Sequence, residues 1–267
     1  MRALTWKWHW PSRNGSLPLS FIILLLTILL MLGSTASLVE VDLVRIFKST
    51  GKLLGFAQQL ITIPEWSYLP TLGTKMLETL EIAFLCTTLS LILSLPLGLL
   101  AARNSSPHLI VYHISRNLLS LMRALPEIVW ALVFVSAVGL GPLPGVMALT
   151  FVTTGFMAKI FAESIEVVNS KAIESVAATG SNWLQLVTFA ILPEAFPDLI
   201  STFFYIIDHN VRAATIIGLV GAGGIGYELV MSLRLFNYSR LMLIMLSIYL
   251  IVTILDRLSD QFRKRVI

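Results

Sequence analysis

The sequence is poor in cysteine and in charged residues, and each scarcity excludes a class of protein. The one cysteine, Cys86, cannot form a disulfide within the chain, and alone it cannot build a cysteine metal cluster. Only 13% of the 267 residues are charged, whereas soluble domains carry about a quarter. With 56% hydrophobic residues, the chain cannot cover itself with polar surface, so lipid must be its solvent.

Motifs for catalysis are also missing from the sequence. The nucleotide-binding string G-x-x-x-x-G-K-[ST] occurs nowhere, so any ATP would have to be hydrolysed by a partner. A secondary transporter would favour inverted repeats, and none is visible. An intramembrane enzyme would need clustered acids or histidines, but the four histidines are spread along the chain, at His9, His108, His113 and His209. We therefore expect no catalytic residue, no metal site and no cofactor in this chain.

Long apolar runs are what the sequence has in abundance. A membrane-spanning helix needs about 20 mostly apolar residues. Six runs qualify, at about 17–39, 82–102, 118–138, 145–165, 196–220 and 238–258. The turn-forming string GLGPLPG separates the third from the fourth, and the fifth is the least regular because it carries charges. The fold class expected is an all-α membrane protein with about six transmembrane helices.

The first run has two interpretations. Basic residues precede it and S-T-A-S follows it, as in a signal peptide, but its apolar part exceeds the usual 7–15 residues of such a segment. Trp6, Trp8 and Trp10 are typical of an interfacial belt ahead of a retained helix. We favour the membrane anchor.

Lys and Arg near the helix ends indicate the orientation. The bias is modest along the chain, but the basic tail 263–267 contains the string RKR and predicts a cytoplasmic C-terminus. An even number of spans then places both termini in the cytoplasm. Residues 40–70 become the longest outside segment, which suits either a helix on the membrane surface or a solvated linker.

The segment 166–195 is the one sizeable inside loop between spans. Two helix-forming halves meet at Thr179-Gly180-Ser181. Gly180 can take the left-handed conformation that ends a helix, and Ser181 is a natural N-cap for the next. Pro193 is expected to stop the second half. The loop is therefore predicted to form a short helical hairpin.

This loop resembles the "EAA" loop of ABC-importer permeases. The matching positions are Glu174, Ser175, Val176, Gly180, Leu192 and Pro193, with Ser175 and Val176 standing where alanines are usual. The resemblance implies a coupling helix seated in a cleft of the ATP-hydrolysing subunit. Glu174 would then meet basic groups there, and Trp183 and Leu184 would offer apolar anchors. The alternative is an ordinary loop whose glycine merely caps a helix.

Ionisable residues interrupt two of the spans. Asp208, His209, Asn210 and Arg212 would lie near mid-membrane in the fifth, where each charge is costly unless it is paired or faces water. Asp208 and Arg212 either neutralise each other across one helix turn or line a route for a charged solute, with Arg212 attracting an anion. Arg123 and Glu127, beside Pro126 in RALPEIVWAL, leave the same choice between a helix-end ion pair and a polar interior.

A sharper resemblance comes from four strings, RALPEIVWAL, AVGLGPLPGVMAL, FAESIE and DHNVRAATIIGLVGAGGIGYEL. Together they are similar to phosphonate-type importer permeases, which take up phosphonates or, in some members, phosphite or hypophosphite. The similarity covers 71–262, the expected permease core of type I (MetI-like) fold; 1–70 matches only in general character. It implies a homodimer with two ATPase subunits, which bind the ATP and Mg, and a periplasmic binding protein. A methionine-type or other anion permease is the alternative.

The glycines of GLVGAGGIGYEL fit the dinucleotide spacing G-x-G-x-x-G at Gly221, Gly223 and Gly226. That fingerprint needs a preceding strand and an acid about 20 residues on. Here a membrane span precedes it and no acid follows near Leu246, so nucleotide binding is rejected. The glycines, Gly224 included, instead let the chain break its helix and approach a partner closely. They serve either as a gate at the outer mouth or as a plain packing turn.

Overall fold

The computed structural model describes residues 19–38 and 43–266. They divide into two compact units, one ending at Gln58 and the other beginning at Gln59. The first contains α1 (Leu19–Leu38) and most of α2 (Leu43–Leu60). Helix α1 coincides with the first expected span, and α2 shows that part of 40–70 is helical. Its place on a membrane surface stays a prediction, and Trp6, Trp8 and Trp10 lie outside the described residues.

The second unit is built of helices joined by short loops, after a 3₁₀ turn at Trp66–Tyr68. A π-helical turn, Val187–Ile191, joins α8 to α9. The helices are α3 (Leu69–Ala101), α4 (Leu109–Met122), α5 (Glu127–Val138), α6 (Pro142–Val167), α7 (Ser170–Ala177), α8 (Trp183–Leu186), α9 (Leu192–Gly218), α10 (Gly224–Arg234) and α11 (Tyr238–Val266).

Helices α3 and α6 form the centre of this unit because small residues let them approach closely. A Cβ on Gly98 would lie 2.9 Å from Cβ of Phe161, so only glycine fits there. Further along, Ser90 donates to the carbonyl oxygen of Thr150 and Ser94 to that of Thr154, each at 3.2 Å. Small residues and interhelical hydroxyl bonds are what holds helices together in lipid. Helix α9 packs on both, and α11 packs on α9.

The described residues contain four or five candidate spans, compared with about six expected. Four described segments are long and apolar enough to cross a membrane: Trp66–Ala101, Pro142–Val167, Trp183–Gly218 and Tyr238–Phe262. The bent pair of α4 and α5 makes a fifth if it is counted as one broken span. The first expected span is represented by α1, whose apolar described part is Leu19–Met31.

The third expected span, at 118–138, is broken near its start. Helix α4 ends at Met122, α5 starts at Glu127, and the two are bent by 82°. Pro126 explains the break, because proline has no N–H to donate and forces the residue before it out of the helical region. The chain therefore makes a sharp corner in the apolar part of the protein.

The expectation that Pro193 ends a helix is also wrong. The helical segment continues from Trp183 to Gly218 and contains both Pro193 and Pro197. The π-helical turn at Val187–Ile191 lies immediately before Pro193. Such wider turns accommodate a local break in the ladder of backbone hydrogen bonds. The second half of the loop 166–195 is therefore directly continuous with a membrane span.

Candidate functional site

The loop 166–195 forms the expected helical hairpin, with one correction at its turn. Gly180 has φ +79°, the left-handed conformation that ends α7. The N-cap of α8 is Asn182 rather than Ser181: the Asn182 side chain accepts from the backbone N–H of Gln185, whose side chain accepts from that of Asn182. Ser181 instead donates to the carbonyl oxygen of Val176, closing the turn. The reciprocal hydrogen bonds between Asn182 and Gln185 form a capping box and fix the start of α8.

The proposed coupling residues differ in their exposure. Glu174 and Leu184 are exposed at the surface of the hairpin. Trp183 is 44% exposed, and its indole Nε1 donates to the carbonyl oxygen of Ser105 at 2.6 Å. Since Ser105 lies in the loop after α3, this bond ties the hairpin to the central helix. Their contact with an ATPase stays a prediction.

A second set of polar contacts holds the same end of the bundle. The Glu166 carboxylate accepts from the Arg116 guanidinium at 2.9 Å and from the backbone N–H of Arg103 at 2.8 Å. The Asn104 side chain donates to the carbonyl oxygen of Ile165. These contacts join the ends of α3 and α6 to α4. From the sequence, Glu166 was named only as part of the segment FAESIE, and its joining of these helices was not predicted.

Of the two alternatives for the charges in the fifth span, the ion pair between Asp208 and Arg212 forms. Arg212 donates to Asp208 from both terminal nitrogens of its guanidinium, at 2.5 and 3.0 Å. It also contacts Asp256 of α11 at 3.1 Å. Asp256 was missed, although a carboxylate 18 residues into the last helix was a visible signal. Two carboxylates around one cation leave the cluster with a formal charge of −1, so the positive field of Arg212 is already neutralised.

Asn210 lies on a different face of α9 and is fully buried between three helices. Its side chain accepts from Thr153 of α6 at 2.9 Å and donates to Thr87 of α3 at 2.8 Å. Both polar ends of the amide are therefore satisfied inside the protein. This location supports helix packing rather than contact with a solute.

Arg123 and Glu127 line a cavity of about 440 Å³ at the corner between α4 and α5. Thr153 and Phe156 of α6 and His209 of α9 complete its polar and aromatic wall. Of the two alternatives for Arg123 and Glu127, the helix-end ion pair is absent from the contacts of the described residues. His209 was noted in the sequence only as one of several polar groups. His209 reaches the cavity between α4 and α5 because of the way α9 packs, and a single sequence does not reveal that packing.

The glycine loop follows the C-terminal end of α9, and the hairpin of α7 and α8 lies at the N-terminal end. Gly221, Gly223 and Gly224 all have positive φ, at +90°, +81° and +71°. The backbone N–H of Gly224 donates to Oε1 of Glu78 at 3.1 Å, and that of Ile225 donates to the hydroxyl of Thr79 at 2.8 Å. Sequence reasoning missed both acceptors, because they lie 146 residues away in the chain.

The glycines of this loop closely approach side-chain and backbone atoms of the same chain. A Cβ on Gly223 would lie 2.7 Å from Oε1 of Glu78, and one on Gly145 would lie 2.9 Å from the carbonyl oxygen of Ala222. The backbone N–H of Gly141 donates to the carbonyl oxygen of Gly221. The loop is therefore packed between the starts of α6 and α10 and the side of α3. The gate function stays a prediction.

Polar contacts near the glycine loop fasten this end further. Tyr68 donates to Glu228 of α10 at 2.5 Å, and the Arg240 guanidinium lies 4.0 Å from the Tyr68 ring centroid. Arg240 also binds Glu65 at 3.2 Å, and this hydrogen bond lowers the pKa of the Glu65 carboxyl below its ordinary value. The segment before α3 is thereby joined to the start of α11.

A family model decides what kind of protein carries these features. It describes the binding-protein-dependent transport system inner membrane component and matches residues 94–267, well over half of the chain. The chain belongs to this family. As a permease component it is a multi-pass membrane protein, and such components are not themselves catalytic.

Comparison with individual relatives shows which branch of the family this permease resembles. It is 40% identical over 196 residues to the phosphate-import permease protein PhnE of Mycolicibacterium smegmatis, covering 73% of this chain and 37% of that protein. It is 38% identical over 201 residues to the phosphite transport system permease protein PtxC of Stutzerimonas stutzeri, covering 75% and 73%. The chain thus spans little more than a third of the first relative. The resemblance to phosphonate- and phosphite-type permeases is confirmed.

Solved structures confirm the fold. A chain of the MetNI methionine ABC transporter in an inward-facing conformation superposes with a TM-score of 0.66 at 22% identity. The match covers 73% of this permease and 96% of that chain. At this identity the likeness concerns the fold alone, and the expected MetI-like core is correct.

Proposed function

We propose that the chain is the permease subunit of an ABC importer that moves a phosphonate or a reduced phosphorus oxyanion, phosphite or hypophosphite, across the inner membrane. The relatives at 38–40% identity, which are named for phosphate and phosphite, carry this proposal. Permeases for other small solutes are the alternative, but the methionine-type relative is only 26% identical. An unpaired arginine beside a membrane cavity suits an anionic solute.

ATP and its Mg are assigned to a separate subunit, and this chain is assigned no cofactor. The hairpin of α7 and α8 is the proposed contact, with Glu174, Gly180, Ser181, Trp183 and Leu184 at or near the turn. Two features support it: the exposed Glu174 and Leu184, and the continuous helix from Trp183 to Gly218. A push on the hairpin would tilt that helix as one body and drag the α3 loop through Ser105.

A second copy of the chain is the proposed partner within the membrane. Arg212 and Asp256 lie inside apolar spans, yet their side chains are 43% and 48% exposed in the single chain. Charges at such depth require protein or water around them. We infer that this face of α9 and α11 turns toward the second copy and the route between the two. The pathway residues would then be Arg123, Glu127, Asp208, Asn210, Arg212 and the gate glycines Gly221, Gly223 and Gly224, with Asn210 acting through packing.

The remaining partner is a periplasmic binding protein at the end that carries the glycine loop. With both termini in the cytoplasm, the hairpin lies inside and the loop outside, so the ATPase and the binding protein approach opposite ends. The bond from Gly141 to Gly221 places the two outer turns side by side. Movement of α9 would reach this pair directly, which supports a gate there.

Reconstitution tests the proposed function. The permease is placed in vesicles with its ATPase and binding protein, and uptake of phosphite, methylphosphonate, phosphate and methionine is measured with and without ATP. We expect ATP-dependent uptake of phosphite or methylphosphonate and none of methionine. Uptake by the permease alone, or uptake of methionine in preference to the phosphorus compounds, would contradict the proposal.

A further inference from the structure

The cavity at the corner of α4 and α5 lies close to the middle of the membrane. Thr153 is eleven residues from the start of α6 at Pro142, and His209 is nine residues from the end of α9 at Gly218. At 1.5 Å per residue, both are roughly 14–17 Å from the same end of the bundle. This is about half of a hydrocarbon core of about 30 Å. The volume of about 440 Å³ is within the range of small-molecule sites.

The ionisable groups that line the cavity have no protein partner for their charged atoms among the described contacts. Arg123 uses only Nε, which donates to the carbonyl oxygen of Leu119 at 3.3 Å, so its terminal nitrogens remain available. The Glu127 carboxylate has no hydrogen bond or ion pair. The His209 ring stacks with Phe156 and Tyr205, at centroid distances of 6.2 and 6.3 Å, but its nitrogens bind nothing.

The break in the helix is what keeps Arg123 and Glu127 apart. Residues four apart on a continuous helix are neighbours, as Asp208 and Arg212 show by pairing at 2.5 Å. Pro126 and the 82° bend remove this geometry between Arg123 and Glu127 and open the cavity beside them. Unpaired charges in mid-membrane are expensive and mark a solute or water route. The sequence of the corner thus maintains a charged site instead of a neutral pair.

We propose that this cavity binds an oxyanion that still carries one proton, a hydrogen phosphonate or hydrogen phosphite in the solute class of the proposed function, on which the inference rests. Arg123 donates from its terminal nitrogens to two anionic oxygens, the geometry that makes arginine a strong oxyanion binder. His209 donates a further hydrogen bond. Glu127, which can only accept hydrogen bonds when it is ionised, accepts one from the ligand's P–OH group.

Glu127 is therefore a specificity-determining residue. Phosphonates and phosphite keep one hydroxyl on a large share of molecules near neutral pH, whereas sulfate keeps none. A fully ionised ligand would place an oxygen against the carboxylate with no hydrogen between them, and this repulsion discriminates against it. The site accepts phosphonate and phosphite and rejects sulfate of similar size.

Phosphorus NMR on the permease–ATPase complex in lipid nanodiscs, without the binding protein, tests the site. The probe is methylphosphonate, whose resonance broadens when it binds. We expect broadening with the wild-type complex and a loss of roughly tenfold or more in apparent affinity with Arg123→Gln. The matched control is Arg234→Gln, an exposed arginine at the end of α10, which should broaden the resonance like the wild type. Equal broadening in wild type and Arg123→Gln would overturn the proposal.

Sulfate competition tests the role of Glu127 separately. Excess sulfate should leave the methylphosphonate resonance broad with the wild type and sharpen it with Glu127→Gln. If sulfate competes equally with the wild type and Glu127→Gln, the role of Glu127 is overturned. The role is also overturned if Glu127→Gln loses binding of aminoethylphosphonate but keeps binding of methylphosphonate, because the carboxylate would then bind the amine. ATP-driven uptake of phosphite by the full system, measured in parallel, separates failure of the site from failure of the proposed function.

Discussion

Two arginine–carboxylate pairs with the same spacing have opposite fates in this protein. Asp208 and Arg212 lie on a continuous helix and form an ion pair, and Asp256 joins them from α11. Arg123 and Glu127 flank a proline break and form no ion pair with any residue that the structure describes. The first cluster is internally neutralised apart from one carboxylate, whereas the second presents both charges to a cavity. Spacing alone does not distinguish a structural pair from a binding site; the backbone between the partners does.

In the Arg212 cluster, loss of the cation should destabilise the protein more than loss of one carboxylate. Arg212→Gln leaves two carboxylates facing each other and should cost about 2–3 kcal/mol, at the lower end for a broken buried pair because Arg212 is 43% exposed. Asp256→Asn keeps the pair with Asp208 and should cost less than about 1 kcal/mol. Unfolding of the detergent-solubilised permease by heat or denaturant measures both.

The double variant Arg212→Gln/Asp208→Asn is the control for this ordering. It removes the repulsion together with the cation, so it should recover part of the stability that Arg212→Gln loses. If the double variant is less stable than the wild type by the full sum of the losses in Arg212→Gln and Asp208→Asn, the cluster is not coupled as the distances indicate.

Gly223 offers a second test at the scale of one residue. Its φ of +81° and the 2.7 Å from its would-be Cβ to Glu78 mean that a side chain strains the loop twice. Gly223→Val should abolish uptake while the ATPase still copurifies with the permease. Gly73→Val is the matched control, because no atom lies within 4 Å of the new Cβ and φ is ordinary. Normal uptake by Gly223→Val would remove the gate hypothesis.

At the scale of the element, the hairpin of α7 and α8 is the part that should transmit force. Glu174→Lys reverses the charge of an exposed side chain that makes no hydrogen bond or ion pair within the described hairpin. We expect ATP hydrolysis and uptake to become uncoupled, because a lysine would face the basic groups that Glu174 is proposed to meet. The measurement is the amount of solute moved per ATP hydrolysed in reconstituted vesicles.

Asp198→Lys is the matched charge reversal, since Asp198 is also exposed but lies on α9, away from the turn. It should leave the copurification of the ATPase as it is in the wild type. Full transport and normal copurification by Glu174→Lys would contradict the assignment of this hairpin to coupling.

Elements with strong local signals were predictable from the sequence, and those defined by distant contacts were not. The left-handed Gly180 and the hairpin around it followed from local turn chemistry. Pro126 and Pro193 looked alike as helix breakers, yet one bends the chain by 82° and the other continues through a π turn. His209 beside the cavity and Glu78 under the glycine loop depend on helix packing. A periodicity within one segment carries no information about its neighbour.

At the scale of the whole molecule, the proposal requires the hairpin of α7 and α8 to face the cytoplasm and the glycine loop to face the opposite side. The single cysteine makes this testable, because Cys86 is fully buried and an introduced thiol becomes the accessible one. Thr179→Cys lies at the hairpin turn and Thr71→Cys at the start of α3, both exposed. In intact cells, a membrane-impermeant maleimide should label Thr71→Cys and spare Thr179→Cys, and in inside-out vesicles the pattern should reverse. Labelling of Thr179→Cys from outside would place the hairpin where no ATP is available. The coupling proposal would then fail as a whole, whatever the variants at Glu174 had shown.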